Sequence, residues 1–308
     1  MALNIIFMGT PEFAVPILKS IHESQHKVLE VYTQSPKKKD RGQKINLSPI
    51  HKYSNKINIK VSHPENLNSE DAFKYLEKLK PDVVVVVAYG KILPSKILHL
   101  PGTIFLNIHA SLLPKLRGAA PIQRSIMNMD KETGISIMKI VEKLDAGPVM
   151  KYAKIDINND STFESLSRDM SYLSSKLILE SLDIVEKKEE KFLEQDHSRA
   201  TYAKKIKKTE SKIIWNDQAK KIIAKINALH PSPGTWFEFN GSRIKILKAT
   251  EVRKKGKPGE IIDKNFTIGC KENSIQILEL KKEGKNNMKT SEFIKGNNLE
   301  IGKILYEK

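Results

Sequence analysis

The chain has 308 residues, 39% hydrophobic and 29% charged, enough for two domains or one large one and no sign of global disorder. A single cysteine, Cys270, excludes an intrachain disulfide framework and a cysteine metal cluster, and fits a reducing cytoplasm. The formal net charge of +17 sits mostly in residues 201–308, where 24 Lys and Arg face 12 Asp and Glu, against 29 and 24 in the first 200 residues.

A polyanion such as RNA suits so basic a segment, although a lysine-rich composition also raises net charge without any partner. The start, MALNIIFMGTPEF, lacks a basic n-region and a long apolar h-region, so no signal peptide is expected. The longest apolar run, Val83 to Ala88, is too short to span a bilayer. A cytoplasmic monomer with no membrane partner is the expectation.

The first 190 residues alternate between strand-like and helix-like runs. Asn4–Met8 reads as a buried strand. Gly9-Thr10-Pro11 is a tight turn, with Pro11 placed to open a helix. Phe13, Ile17, Leu18 and Ile21 then recur at helical spacing. Val28–Tyr32 is a second strand, Lys37–Lys44 a basic loop, Ile57–Val61 a third strand and Glu70–Leu79 a helix. Val83–Val87 is β-branched throughout, as in a strand covered on both faces. Thr103–Ile108 and Gly134–Val141 read as strands and Ala119–Met129 as a helix. A long helix starts at Ser161 or Thr162, with Glu164 near the capping-box position, and runs to about Lys188.

This alternation predicts an α/β fold, a Rossmann-like doubly wound and mostly parallel sheet occupying residues 1–189. Residues 190–210, charged and weakly periodic, read as a linker. Residues 211–308 hold a helix at Asp217–Ala228 and short strands at Arg243–Lys248, Gly259–Ile262, Thr267–Cys270 and Ile275–Leu280. Strands of that length and spacing predict a second, smaller β-barrel domain, OB-like and basic.

GTPEFA after the first strand carries one glycine and is not a dinucleotide fingerprint, and no phosphate-loop motif is present. Asn107 and His109 stand two apart on a strand, so their side chains share a face at its carboxyl end. Ligands of doubly wound sheets bind at such ends. An asparagine amide can donate to a developing oxyanion, and histidine can donate or shuttle a proton near neutrality. Asp145, in VEKLDAG, offers a carboxylate that can orient His109 or accept a proton. Polar residues at strand ends also serve as caps and turn formers, so residue chemistry alone leaves both readings open.

FMGTPEFA, AYGKILP, NIHASLLPKLRGAAPIQRSI and LDAG, in this order, resemble the methionyl-tRNA formyltransferase family, as do ATYAKKI, LHPSPGTW and LKKEGKNNM further on. The resemblance covers essentially the whole chain. It implies transfer of a formyl group from 10-formyltetrahydrofolate to the α-amino group of initiator methionyl-tRNA, in translation initiation, with no metal. It puts the catalytic residues at Asn107, His109 and Asp145. It puts folate contacts at Ser111, Leu112, Leu113, Pro114 and Tyr89, and tRNA contacts at Arg41 with Lys37, Lys38 and Lys39 beside it. Two rivals are a formyltransferase acting on another amine, such as an amino-sugar nucleotide, and a non-catalytic RNA-binding protein on the same fold.

Overall fold

A computed structural model describes residues 2–39 and 44–305. In chain order it contains β1 (Asn4–Gly9), α1 (Val15–His22), β2 (Lys27–Tyr32), β3 (Lys37–Lys39), β4 (Lys44–Asn46), α2 (Pro49–Lys56), β5 (Val61–Ser62), α3 (Glu70–Leu79), β6 (Val83–Val87), α4 (Ser95–Leu98), β7 (Ile104–His109), α5 (Pro121–Met127), β8 (Glu132–Lys139), β9 (Val149–Asp156) and α6 (Phe163–Glu186). These are followed by α7 (Ala219–Leu229), β10 (Thr235–Phe239), β11 (Ser242–Val252), β12 (Thr267–Gly269), β13 (Ser274–Lys282), β14 (Asn287–Lys289) and α8 (Thr290–Phe293). The chain divides into two compact units. One comprises the residues through Pro121, Glu132–Ile155 and Ser167–Ala203; the other comprises Ile122–Lys131, Asp156–Leu166 and the residues from Lys204 on.

The first unit is built on a seven-stranded sheet in the order β5-β2-β1-β6-β7-β8-β9. Pairing is parallel from β5 to β7 and turns antiparallel between β7 and β8. From β1 the chain first adds β2 and β5 on one side, then crosses to place β6 on the other. The switch point therefore lies between β1 and β6, and the carboxyl ends of β1, β6 and β7 share one edge of the sheet. All five valines of β6 are buried, as a strand covered on both faces requires. Ile6, Met8, Val84, Val86 and Phe105 pack with Leu76 of α3 and Ile97 of α4 on one side of the sheet.

Local chemistry explains where expectation and structure part. Of the expected strand at Ile57–Val61 only Val61 lies in a strand, the two-residue β5, because α2, opened by Ser48 and Pro49, runs to Lys56 and Asn58 follows in left-handed backbone at φ 55°. The Ser48 hydroxyl accepts from the His51 amide at 3.0 Å, and proline fits the first helical turn. Part of the basic loop Lys37–Lys44 is extended, with β3 pairing antiparallel to β4. Strand β9 was not anticipated, although its alternating exposure is that of a half-buried strand. Residues 190–203, expected as a linker, belong to the first unit. Backbone bridges pin them there, Leu193 to Val149 and Tyr202 to Arg117.

The second unit carries an antiparallel sheet in the order β10-β11-β13-β12, with β14 pairing to β13. A register shift between Ile246 and Ala249 bends β11 and helps the sheet curl. Inside, Trp215, Phe237, Phe239, Phe266 and Phe293 form an aromatic cluster with edge-to-face contacts and one stacked pair, Phe266 on Phe293 at 5.7 Å. Ile222 and Ile226 of α7 close the same core. The expected strand Gly259–Ile262 is reduced to isolated bridges, Glu260 to Ile304 and Ile261 to Ile268. The sheet also gains β10 and β14, which the sequence reading did not include.

Candidate active site

Strand β7 ends in Asn107 and His109. Asn107 pairs with Val86 of β6 on one side and Met138 of β8 on the other, so it sits where the sheet changes from parallel to antiparallel. It is half-buried, and its amide has no hydrogen-bond partner among the described residues. His109 is buried, with Nε2 2.9 Å from the Leu116 carbonyl oxygen. A carbonyl only accepts, so Nε2 carries the proton and donates it. Nδ1 of the ring faces Asp145, whose Oδ2 is 3.7 Å away. A ring nitrogen and a carboxylate oxygen meet there, a pairing suited to holding a proton between them.

Asp145 is fixed from several directions. Its Oδ2 accepts from the Gly118 amide at 2.7 Å, and its carbonyl accepts from Gln195 Nε2 at 3.0 Å. Its backbone lies in the left-handed region, at φ 47°. That conformation costs a non-glycine residue roughly 1–3 kcal/mol, and surrounding contacts must hold it. Gln195 Nε2 also donates to the Gly147 carbonyl at 2.6 Å, while its Oε1 accepts from Arg117 Nε at 3.1 Å and Nη2 at 2.7 Å. Arg117 is only 1% exposed, and its Nη2 donates further to His197 Nδ1 at 2.9 Å. Gly147 answers for the glycine of LDAG: a Cβ there would lie 1.9 Å from the Lys139 carbonyl oxygen.

The loop after β7 divides its side chains. Leu113 is buried with Met138 and Val149, so it belongs to the core. Leu112 and Pro114 are half-buried, leaving part of each available to an incoming apolar surface. The Ser111 hydroxyl donates to the Lys115 carbonyl at 2.6 Å, and the Ser136 hydroxyl to the Ser111 carbonyl at 2.6 Å. Ser111 thus spends its donor on closing the loop. The ring of Tyr89 packs in the core beside Tyr32, and burial pushes its phenol up to about 12. What Tyr89 turns toward the strand ends is its carbonyl, which accepts from Thr10 Oγ1 at 2.9 Å and Gln34 Nε2 at 3.3 Å.

Residues 3–182 match the family described as formyl transferase, and residues 205–298 match the formyl transferase C-terminal domain. The chain belongs to the formyl transferase family. Among its relatives are the methionyl-tRNA formyltransferase of Pelagibacter ubique, 49% identical over 98% of each chain, and that of Paramagnetospirillum magneticum, 39% identical over 98% of this chain and all of the other. HypX from Aquifex aeolicus, solved with tetrahydrofolic acid, shares the fold at a TM-score of 0.68 and 18% identity. All of this chain aligns to HypX, spanning about half (52%) of its length. The doubly wound sheet and the curled antiparallel sheet expected from the sequence are those of the formyl transferase N- and C-terminal domains.

Among the sequence-predicted site residues of this formyl transferase, His109 and Asp145 are brought together, with Asn107 on the same strand as His109. Lys37, Lys38 and Lys39 lie on β3, and Arg41 lies outside the described residues. Sequence reasoning missed Arg117 and Gln195. The arginine stood inside the quoted RGAAP run and passed for part of the wording, whereas Gln195 stood in a stretch taken for a linker. A long cation that burial leaves without a nearby carboxylate needs a polar partner, but nothing local in the sequence says which.

Proposed function

We propose that this formyl transferase moves the formyl group from 10-formyltetrahydrofolate to the α-amino group of initiator methionyl-tRNA. The observation that carries the chemistry is His109 Nδ1 set 3.7 Å from the Asp145 carboxylate, at the carboxyl end of the strand that also holds Asn107. The acceptor is supported by the methionyl-tRNA formyltransferases that match nearly the whole chain.

The neutral amine attacks the formyl carbon, a new C–N bond forms and negative charge gathers on the formyl oxygen. Asn107 donates its amide N–H to that oxygen, the kind of stabilisation that acts most strongly as charge develops. The His109–Asp145 pair takes the proton that the amine sheds and holds it between Nδ1 and the carboxylate. Collapse breaks the bond between the formyl carbon and N10 of the folate, and a proton returns to that nitrogen. Leu112 and Pro114 supply the apolar wall for the pterin, with loop backbone groups for its polar edge.

Strands β3 and β4, Arg41 and the basic second unit hold the tRNA. The reading of phosphates and an unpaired end suits A-form RNA, whose deep groove hides its base edges. The protein acts as a monomer in the cytoplasm. The test is a formylation assay with labelled 10-formyltetrahydrofolate, offering charged initiator tRNA, charged elongator tRNA and a 4-amino sugar nucleotide. Label appears on the charged initiator tRNA. Label on the sugar nucleotide alone, or on neither, sinks the assignment.

A further inference from the structure

We propose that Gln195 is a positioning residue for Asp145, held to that task by the buried Arg117. The inference rests on the catalytic reading of Asp145 given above.

The side-chain amide of Gln195 is used completely. Its oxygen takes both Nε and Nη2 of Arg117, and its nitrogen donates to the carbonyls of Asp145 and Gly147. Gln195 is 6% exposed and Arg117 1%, so neither serves as a solvent contact. The two carbonyls are those of the carboxylate-bearing residue itself and of the second residue after it, and the residue between them, Ala146, is buried too. Asp145 sits in the left-handed region, and the peptide that follows such a residue is the part its surroundings must fix. Gln195 fixes that peptide, while the Gly118 amide holds the carboxylate itself at 2.7 Å. The Gly118 amide belongs to the residue next to Arg117, so one short run anchors both ends of the aspartate. Only a side chain with one acceptor and one donor end fits between a guanidinium and two carbonyls. Glutamine has both ends; glutamate has only acceptors.

That asymmetry gives the experiment. Gln195→Glu keeps a partner for Arg117, now as an ion pair, and sets a carboxylate against two carbonyl oxygens. The loop then shifts without a hole opening in the core. In the full-length enzyme, with labelled 10-formyltetrahydrofolate and charged initiator tRNA, kcat falls about 10- to 100-fold, the loss expected for a displacement of about an ångström. The KM for the folate donor stays within about two-fold, because uniform binding is untouched. In an Asp145→Asn background, Gln195→Glu costs no more than about two-fold further, since the carboxylate it would misplace is gone.

A full multiplicative loss in that background overturns the proposal, as does wild-type turnover of the Gln195→Glu enzyme. The Asp145→Asn enzyme alone keeps the two readings apart. Wild-type turnover there refutes the catalytic role of Asp145 itself; a large loss there with an indifferent Gln195→Glu refutes only the positioning role. If Gln195→Glu melts too low to assay, Gln195→Met, close in volume and uncharged, replaces it in the same cycle with the same expected and refuting outcomes.

Discussion

Replacing Gly147 by alanine places a methyl 1.9 Å from the Lys139 carbonyl oxygen, and 3.4 Å from Val141 Cγ1. A carbon and a carbonyl oxygen tolerate an approach of about 3.3 Å, so the two backbones must part by roughly 1.4 Å. Rotamer change gives no relief, since the clash is with main chain. The Lys139 amide also donates to the Pro148 carbonyl at 2.9 Å, and Gln195 holds the Gly147 carbonyl, so the segment is tied on both sides. Asp145 is two residues away and shifts with it. A misplacement of about an ångström costs on the order of 100-fold in rate, equivalent to about 2.7 kcal/mol of barrier. Overpacking adds about 1–3 kcal/mol of lost stability.

The assay is steady-state formylation of charged initiator tRNA, with a urea melt to separate rate from fold. Gly102→Ala is the control: its φ is positive, at 69°, but no heavy atom lies within 4 Å of the new methyl. It loses about 1 kcal/mol of stability with turnover unchanged. A Gly147→Ala enzyme that turns over within two-fold of wild type would refute the account of this loop.

Asn107→Ala lowers kcat by roughly 100- to 1,000-fold with little change in Tm, the cost of one oxyanion donor, measured by single-turnover formylation. Glu210 pairs with Arg124 through two contacts, at 2.7 and 3.0 Å, and that pairing holds its carboxyl below the usual range. A lowered folded-state pKa gives stability present above the unfolded value near 4.3 and lost as pH falls through the folded one. Glu210→Gln therefore costs about 1 kcal/mol at pH 7, screened because the pair is partly exposed, and the gap to wild type closes in urea melts below about pH 4. Cys270 is 3% exposed and burial pushes its thiol up to about 12, so a thiol reagent at pH 8 finds it unreactive until the protein is unfolded. Immediate reaction of one equivalent in the native protein would contradict that burial. The KM for charged tRNA rises at least about tenfold between 50 and 200 mM salt if several lysines meet phosphates.

Periodicity carried most of the first sheet. Val83–Val87 announces itself by composition, because a strand buried on both faces is filled with β-branched residues, and Val28–Tyr32 and the run ending in His109 are largely apolar as well. Strand β9 escaped that rule: VMKYAKID is half exposed and carries two lysines. Helix α2 hid behind a low apolar content, although Ser48-Pro49 is a sound start signal. The catalytic candidates were legible as a same-face pair plus a carboxylate, and the order of the motifs joined them. The partnership of Arg117 with Gln195 spans residues 78 apart and depends on a buried meeting that no local pattern encodes. The division of SLLP into a buried leucine and a half-buried one likewise depends on which neighbour each one meets, Met138 and Val149 for Leu113.

The pinning of residues 190–203 bears on how this enzyme comes into being. A ribosome that has made the whole seven-stranded sheet and α6 has still not made Gln195, nor Thr201, whose hydroxyl accepts from the Leu116 amide at 2.8 Å. A fragment severed at residue 189 keeps Asn107, His109 and Asp145 and lacks the stretch that braces two of the loops around them. Competence of the site is thus gained only once the chain has been made through Ala203, the residue whose amide donates to the Arg117 carbonyl at 2.7 Å.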